Sequence, residues 1–305
     1  MTDEPRLQAE PREGVPDVID TLPAFREYCS ALASSHGSLA ADAERASGFR
    51  YGHDDWLVQF KRDGAGIGLL DPQALAAEGV NWNDFNAAVG DAVWILHDSL
   101  QDLPGFADLG LQPKRLFDTE IAARLLGLKR FGLAAVTEHY LGLTLAKEHS
   151  AADWSYRPLP RDWRNYAALD VELLIELEST MRAELQKQGK IEWAEEEFDY
   201  ALREGTAPRK EHPIPWLRIS HITEIMKDRQ ALAVAKACGS NETNWLANTI
   251  SHPHCCLPTA PSLKWRSANR TMRRNSERFV PSTSVCASSR CRTGENVRTL
   301  RADPT

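Results

Sequence analysis

Leu39-Ala40-Ala41-Asp42-Ala43-Glu44, Trp56-Leu57-Val58-Gln59-Phe60 and Ile67-Gly68-Leu69-Leu70-Asp71 are three short apolar runs, divided by Gly48 to Asp55 and by Asp63-Gly64. Runs of this length bounded by turn residues read as a three-stranded antiparallel meander. Upstream, Asp20-Thr21-Leu22-Pro23 opens a helix with Phe25, Tyr28 and Leu32 at i, i+3 and i+7, and Gly37 stops it. Downstream of Pro72 the pattern alternates. Helices are predicted over residues 83–89, 100–109, 119–128 and 133–141, a buried strand over 92–97 and a short strand over 115–118. One long helix runs from Pro160 to Gln188, with Gly189 past its end. A meander followed by alternating helix and strand makes an α/β domain with a mixed sheet flanked by helices.

The chain has 305 residues, a length that suits about two domains, and a formal charge of −7. That balance excludes a basic coat protein for nucleic acid. It also conceals a division. Residues 238–305 hold ten Lys/Arg against four acids, a charge of +6, so residues 1–237 carry −13. Cysteine divides in the same way, because Cys29 is alone before Cys238 and a disulfide framework for the main body is excluded. With no apolar run of about 18 residues, the chain reads as cytoplasmic, with no membrane partner. Residues 1–17, charged and interrupted by Pro5, Pro11, Gly14 and Pro16, read as a disordered leader.

The chemistry lies in the acids. A strand's period of two puts Asp42 and Glu44 on one face about 7 Å apart, where like charges call for a divalent cation unless that face is simply solvated. On the long helix, Trp163, Ala167, Asp170, Leu174, Leu177, Met181 and Leu185 form one apolar row, so Asp170 occupies a core slot. A carboxylate there must be paired, hydrogen-bonded or metal-bound. Tyr166 sits one turn earlier on the same face. A further acid follows the 92–97 strand, where α/β sheets gather their ligand sites. His97 and Asp102 are well placed, although periodicity does not decide whether Asp98 or Asp102 points inward.

Taken together, Asp42-x-Glu44, His97-x4-Asp102 and Tyr166-x3-Asp170 resemble the ribonuclease D family of DEDDy 3′→5′ exonucleases. Further landmarks are Ala41 to Arg45, Trp56 to Phe60, Leu70-Asp71-Pro72, Phe117-Asp118-Thr119-Glu120, Lys147 followed by Asp153 to Leu159, and Tyr166 to Val171. The resemblance spans about residues 20–190. It implies a ribonuclease H-like fold over 18–190, with Asp42, Glu44, Asp102 and Asp170 as ligands of two Mg²⁺ or Mn²⁺ ions and Tyr166 orienting the attacking water. It further implies an exoribonuclease that releases nucleoside 5′-monophosphates, with tRNA precursors or other structured RNA 3′ ends as substrate. A DNA exonuclease acting on single-stranded DNA, or a non-catalytic RNA-binding protein, are the alternatives. His97, Lys147, Trp154 and Arg157 are candidate substrate contacts, although core packing is the default for Trp154. Lys147, Arg157, Arg161 and Arg164, with Lys129 and Arg130 opposite, are the expected basic track.

Residues 191–215 read as an acidic helix and a Pro-containing linker, and 216–237 resemble the start of an HRDC domain. Beyond Lys236 no sustained period remains, and 17 Ser/Thr fall within 68 residues. Three readings compete there: a basic RNA-binding arm, a zinc site from His252, His254, Cys255, Cys256, Cys286 and Cys291, and out-of-frame translation of an interrupted HRDC domain. The third is favoured, and the nucleotide sequence around codons 230–245, read in the other frames, tests it.

Overall fold

The computed structural model describes residues 5–47, 49–50, 52–145, 149, 151–208, 214–218 and 222–236. The zinc, basic-arm and out-of-frame readings of residues 238–305 lie outside the described residues. In chain order come β1 (Arg6–Gln8), β2 (Val18–Ile19), α1 (Leu22–Ala33), β3 (Leu39–Arg45), β4 (Asp55–Arg62), β5 (Gly66–Leu70), α2 (Pro72–Ala77) and α3 (Trp82–Val89). Then follow β6 (Val93–Leu96), α4 (Leu103–Leu109), β7 (Arg115–Asp118), α5 (Thr119–Leu125), α6 (Leu133–Leu141), β8 (Leu143–Leu145), α7 (Arg161–Glu172), α8 (Leu174–Lys187) and α9 (Ile191–Thr206). Short 3-10 turns follow at Pro215–Arg218 and Ile222–Ile225, and residues 229–236 are helical.

The main sheet has the order β2-β5-β4-β3-β6-β7. Strands β3, β4 and β5 form the expected antiparallel meander, while β6 pairs parallel with β3 and β7 parallel with β6. Strand alternation sorts the side chains between the two faces. Val58, Phe60 and Leu70 join the principal core with Phe25, Phe85, Trp94 and Phe106. Leu57 and Leu69, on the opposite face, pack with Ala167 and Ala168 of α7. Because Asp42 pairs with Gln59 and Glu44 with Leu57, α7 is the helix that covers the two acids of β3.

Three expectations change. First, residues 5–17 are not a disordered leader. β1 pairs parallel with β8, Val18–Ile19 lies at the sheet edge beside β5, and Arg12 bonds Glu172 and Glu176 on the far side of the chain. These partners are remote in sequence, which composition does not reveal. Second, the long helix is two helices, broken at Leu173. Lys61 Nζ donates to the Glu172 carbonyl at 2.8 Å and to its carboxylate at 3.0 Å, so a side chain enters the helical ladder there. Third, the acidic helix expected after residue 190 forms over 191–206, but it belongs to the domain core and not to a linker segment. Ala194, Phe198 and Ala201 of α9 are buried in the principal core, with Phe198 against Phe117 at 4.8 Å between ring centroids. Leu103 lies so close to Gly205 that a β-carbon there would stand 2.6 Å away from it.

Candidate active site

One cavity receives Asp42 and Glu44 from β3, Asp102 from the start of α4, and Tyr166 and Asp170 from α7. Carboxylate oxygens of Asp42, Glu44 and Asp170 all lie within 4.8 Å of one another. Asp102 is buried and its carboxyl meets that of Asp42, so it joins the cluster, while Asp98 lines the same cavity with its carboxylate bonded by Gln101. Tyr166 donates its phenolic hydrogen to Asp170 one turn away. Gln59, opposite Asp42 on β4, donates to Asp42 Oδ2 at 2.6 Å.

Burial and mutual repulsion dominate the electrostatics. Burial, with the charges of Asp102, Asp170 and Glu44, holds the Asp42 carboxyl well above the ordinary range. Glu44 is raised by burial and by Asp170 and Asp102. Burial lifts Asp170 to about 7 against the Tyr166 hydrogen bond, and Asp102 to about 6 against the opposing pull of Arg45. The Tyr166 phenol is also pushed up, by burial and then by Asp170, Glu44 and Asp42, so it stays protonated at neutral pH. Among the described residues lining the cavity, Arg45 is the one permanent cation. Four converging carboxyls, three of them raised by the charge of another, with so little positive charge supplied by protein, suit hard divalent cations.

A family model described as 3′-5′ exonuclease matches residues 16–186. The chain belongs to the 3′-5′ exonuclease family. Within that family it is similar to ribonuclease D of Zymomonas mobilis, 31% identical over 221 residues, 71% of this chain and 56% of that one. Ribonuclease D of Sphingobium indicum is 28% identical over 242 residues, 74% of this chain and 62% of the relative. The chain thus spans less than two thirds of the length of these curated relatives. A crystal structure of a protein from Bifidobacterium adolescentis matches with a TM-score of 0.79 and 80% identity, over 82% of this chain and 60% of that chain. The structure of Escherichia coli RNase D, titled as an exoribonuclease involved in structured RNA processing, matches with a TM-score of 0.60 and 25% identity, over 77% and 62%. The family implies use of a divalent metal and a nucleic-acid substrate. No helix among the described residues is long and apolar enough to cross a membrane.

The predicted substrate contacts fare unequally. His97 lines the cavity with Nδ1 2.9 Å from Thr119 Oγ1, and burial lowers its pKa, which favours the neutral ring. Lys147 lies outside the described residues. Trp154 is fully buried among Leu57, Leu69 and Leu159, so the core reading is correct and base stacking is not available to it. Arg157 is also removed from the contacts. Its guanidinium is consumed by Asp71 and by the carbonyls of Trp154, Tyr156 and Trp56. Nor do Arg161 and Arg164 form a free basic track, since they pair with Glu10 and Asp17 of the N-terminal segment. Lys129 and Arg130 line a separate cavity with His139.

Sequence reasoning missed the residues that hold the acids in place. Asp118 accepts from the backbone of Ser99 at 2.7 Å and of Asp98 at 3.3 Å, and caps α5 through Glu120 and Ile121. It thereby secures the turn in which Asp98 adopts φ 60°, a left-handed conformation that costs a non-glycine residue energy. The Phe117 to Glu120 landmark carried that signal. Gln59 and Arg45 likewise lay within landmark stretches, but only the strand register shows what they touch.

Proposed function

We propose that the protein is a metal-dependent 3′→5′ exoribonuclease that releases nucleoside 5′-monophosphates from structured RNA ends, with tRNA precursors as the implied natural substrate. The observation that carries this reading is the convergence of Asp42, Glu44 and Asp170 within 4.8 Å, beneath a tyrosine bonded to Asp170. Similarity to ribonuclease D supports RNA as the polymer. Asp42, Glu44, Asp102 and Asp170 are the residues that would hold two Mg²⁺ or Mn²⁺ ions. Such ions, when bound, supply a water of lowered pKa and offset charge on the leaving oxygen.

The chain's own residues do the rest. Tyr166, protonated and tied to Asp170, presents a fixed phenolic oxygen beside the acids and orients the attacking water. Gln59 holds the Asp42 carboxylate by donating to its Oδ2. Glu44 is the carboxylate assigned to the terminal 3′-hydroxyl. Water adds to the last phosphorus in line with the departing 3′ oxygen, that P–O bond breaks, and the phosphate remains on the released nucleoside.

Incubation of 5′-labelled RNA with Mg²⁺ should shorten it stepwise from the 3′ end and yield 5′-monophosphates, and chelation should stop the reaction. Asp42→Asn and Asp170→Asn should each reduce kcat by a factor on the order of 10³ or more, given the several kcal/mol that metal-assisted catalysis supplies. Equal or faster turnover of matched single-stranded DNA would transfer the assignment to DNA. RNA binding with no product under any divalent ion would reject an enzyme altogether.

A further inference from the structure

Arg45 follows Glu44 directly, yet the β3–β4 register slips between the two, so Arg45 lies opposite Asp55. A bulge of this kind re-aims a side chain at the end of a ladder. Arg45 Nε donates to Asp55 Oδ1 at 2.9 Å, while Nη2 donates to Asp102 Oδ1 at 2.7 Å and to the carbonyl of Gln101. One guanidinium therefore joins a carboxylate at the end of β3–β4 to a carboxylate of the cluster.

Asp55 is an odd residue to bury for stability alone. Its side chain is 0% exposed, and its Oδ2 has no hydrogen-bond partner among the described residues. Leaving such an acceptor unpaired is costly. The fold makes room for it by placing Gly105 of α4 against the carboxylate: a β-carbon on Gly105 would stand 2.2 Å from Oδ2. Room kept for a costly group points to a role elsewhere, and its ion-pair partner is Arg45.

Charge accounting shows what that role is. A lone arginine beside the acids would orient Asp102 but also repel the cations that the acids attract. A second buried carboxylate behind the arginine cancels its charge and keeps its geometry. We propose that Asp55 and Arg45 form a neutral positioning clamp for Asp102, in which Arg45 occupies Oδ1 and thereby presents Oδ2 to a divalent cation. Arg45 is a positioning residue, acting through Asp102. The proposal rests on the reading of Asp102 as a cation ligand.

Mn²⁺ binding to the full chain, followed by loss of the free-ion EPR signal, tests this without reference to turnover. The set is the native protein, Asp102→Asn, Arg45→Lys and the double variant, with circular dichroism melts to establish folding. Lysine keeps the charge but has no planar fork to hold two partners. Asp102→Asn should weaken at least one Mn²⁺ site, and Arg45→Lys should weaken it about tenfold, the usual scale for a group that orients a ligand. In the Asp102→Asn background the Arg45→Lys change should have no further effect. Asp55→Asn should act in the same direction through the same cycle, and it decides the matter if Arg45→Lys does not fold. Native-like Mn²⁺ affinity in Arg45→Lys, or an effect that persists once Asp102 is gone, overturns the clamp while leaving Asp102 a ligand. Unchanged Mn²⁺ binding in Asp102→Asn would instead remove the ligand reading, and the clamp with it.

Discussion

Asp170 is legible as a problem from the sequence alone: a carboxylate in an apolar helical row must be compensated, and the Tyr166 phenol supplies part of that compensation while the neighbouring acids add repulsion. Its pKa, lifted from 3.8 to about 7, has a consequence for stability. In metal-free protein the folded state binds this proton more tightly than the unfolded chain. The group's contribution is therefore full below the unfolded value and is lost as pH rises through about 7. In chelator, the native protein should melt at progressively lower temperature from about pH 5 to about pH 8, relative to Asp170→Asn, which has no such proton. Saturating Mg²⁺ should abolish that relative slope. Parallel melting curves for the two proteins in chelator would refute the shift. Residues such as Arg45 and Gln59 were not legible in this way, because their roles depend on which residue stands opposite across the strands. Arg157 shows the reverse error: it lies within a family landmark, and its task is to tie Asp71 to the loop before α7.

Elements decide where the acids meet, and their boundaries carried less signal than their existence. The three strands of the meander and α1 were readable because alternation and apolar spacing are local. The break between α7 and α8 was not, since its cause is Lys61 on β4. Glu172 at the break is 2% exposed and is held by Lys61 and by the backbone N–H of Arg12. Lys61→Met should cost about 3 kcal/mol in urea unfolding, the low end for breaking a buried pair because the Arg12 amide remains. A loss under about 0.5 kcal/mol would show the pair to be a surface contact in effect. Gly105→Ala tests α4 in the same way. The added methyl meets the Asp55 carboxylate, so about 1–3 kcal/mol of stability should be lost despite alanine's better helix propensity. A stabilised variant would mean that Asp55 can withdraw freely.

For the molecule as a whole, net charge and composition suggested an acidic body preceded by an idle leader. The site gathers four of those acids, but the leader is structural. A three-residue strand carries no periodicity of its own, and the partner of β1 is a strand far along the chain. Residues 5–17 instead act as a strap across the helix that bears Tyr166 and Asp170. The Ala9 carbonyl accepts from Asn165, Glu10 pairs with Arg161, Asp17 and the Pro16 carbonyl hold Arg164, and Arg12 reaches Glu172 and Glu176. The exposed pairs are individually worth only about 0–1 kcal/mol. Their combined effect is to fix α7 at both ends of the segment that carries the site. Removal of residues 1–17 should therefore lower stability by about 2–4 kcal/mol, since it also strips the Glu172 contact and strand β1 from its pairing with β8. It should also reduce kcat more than it raises KM, because a looser α7 misplaces Tyr166 and Asp170 after RNA has bound. A disordered leader predicts the opposite result, unchanged urea midpoint and unchanged kcat on deletion, and the two measurements together distinguish a strap from a tail.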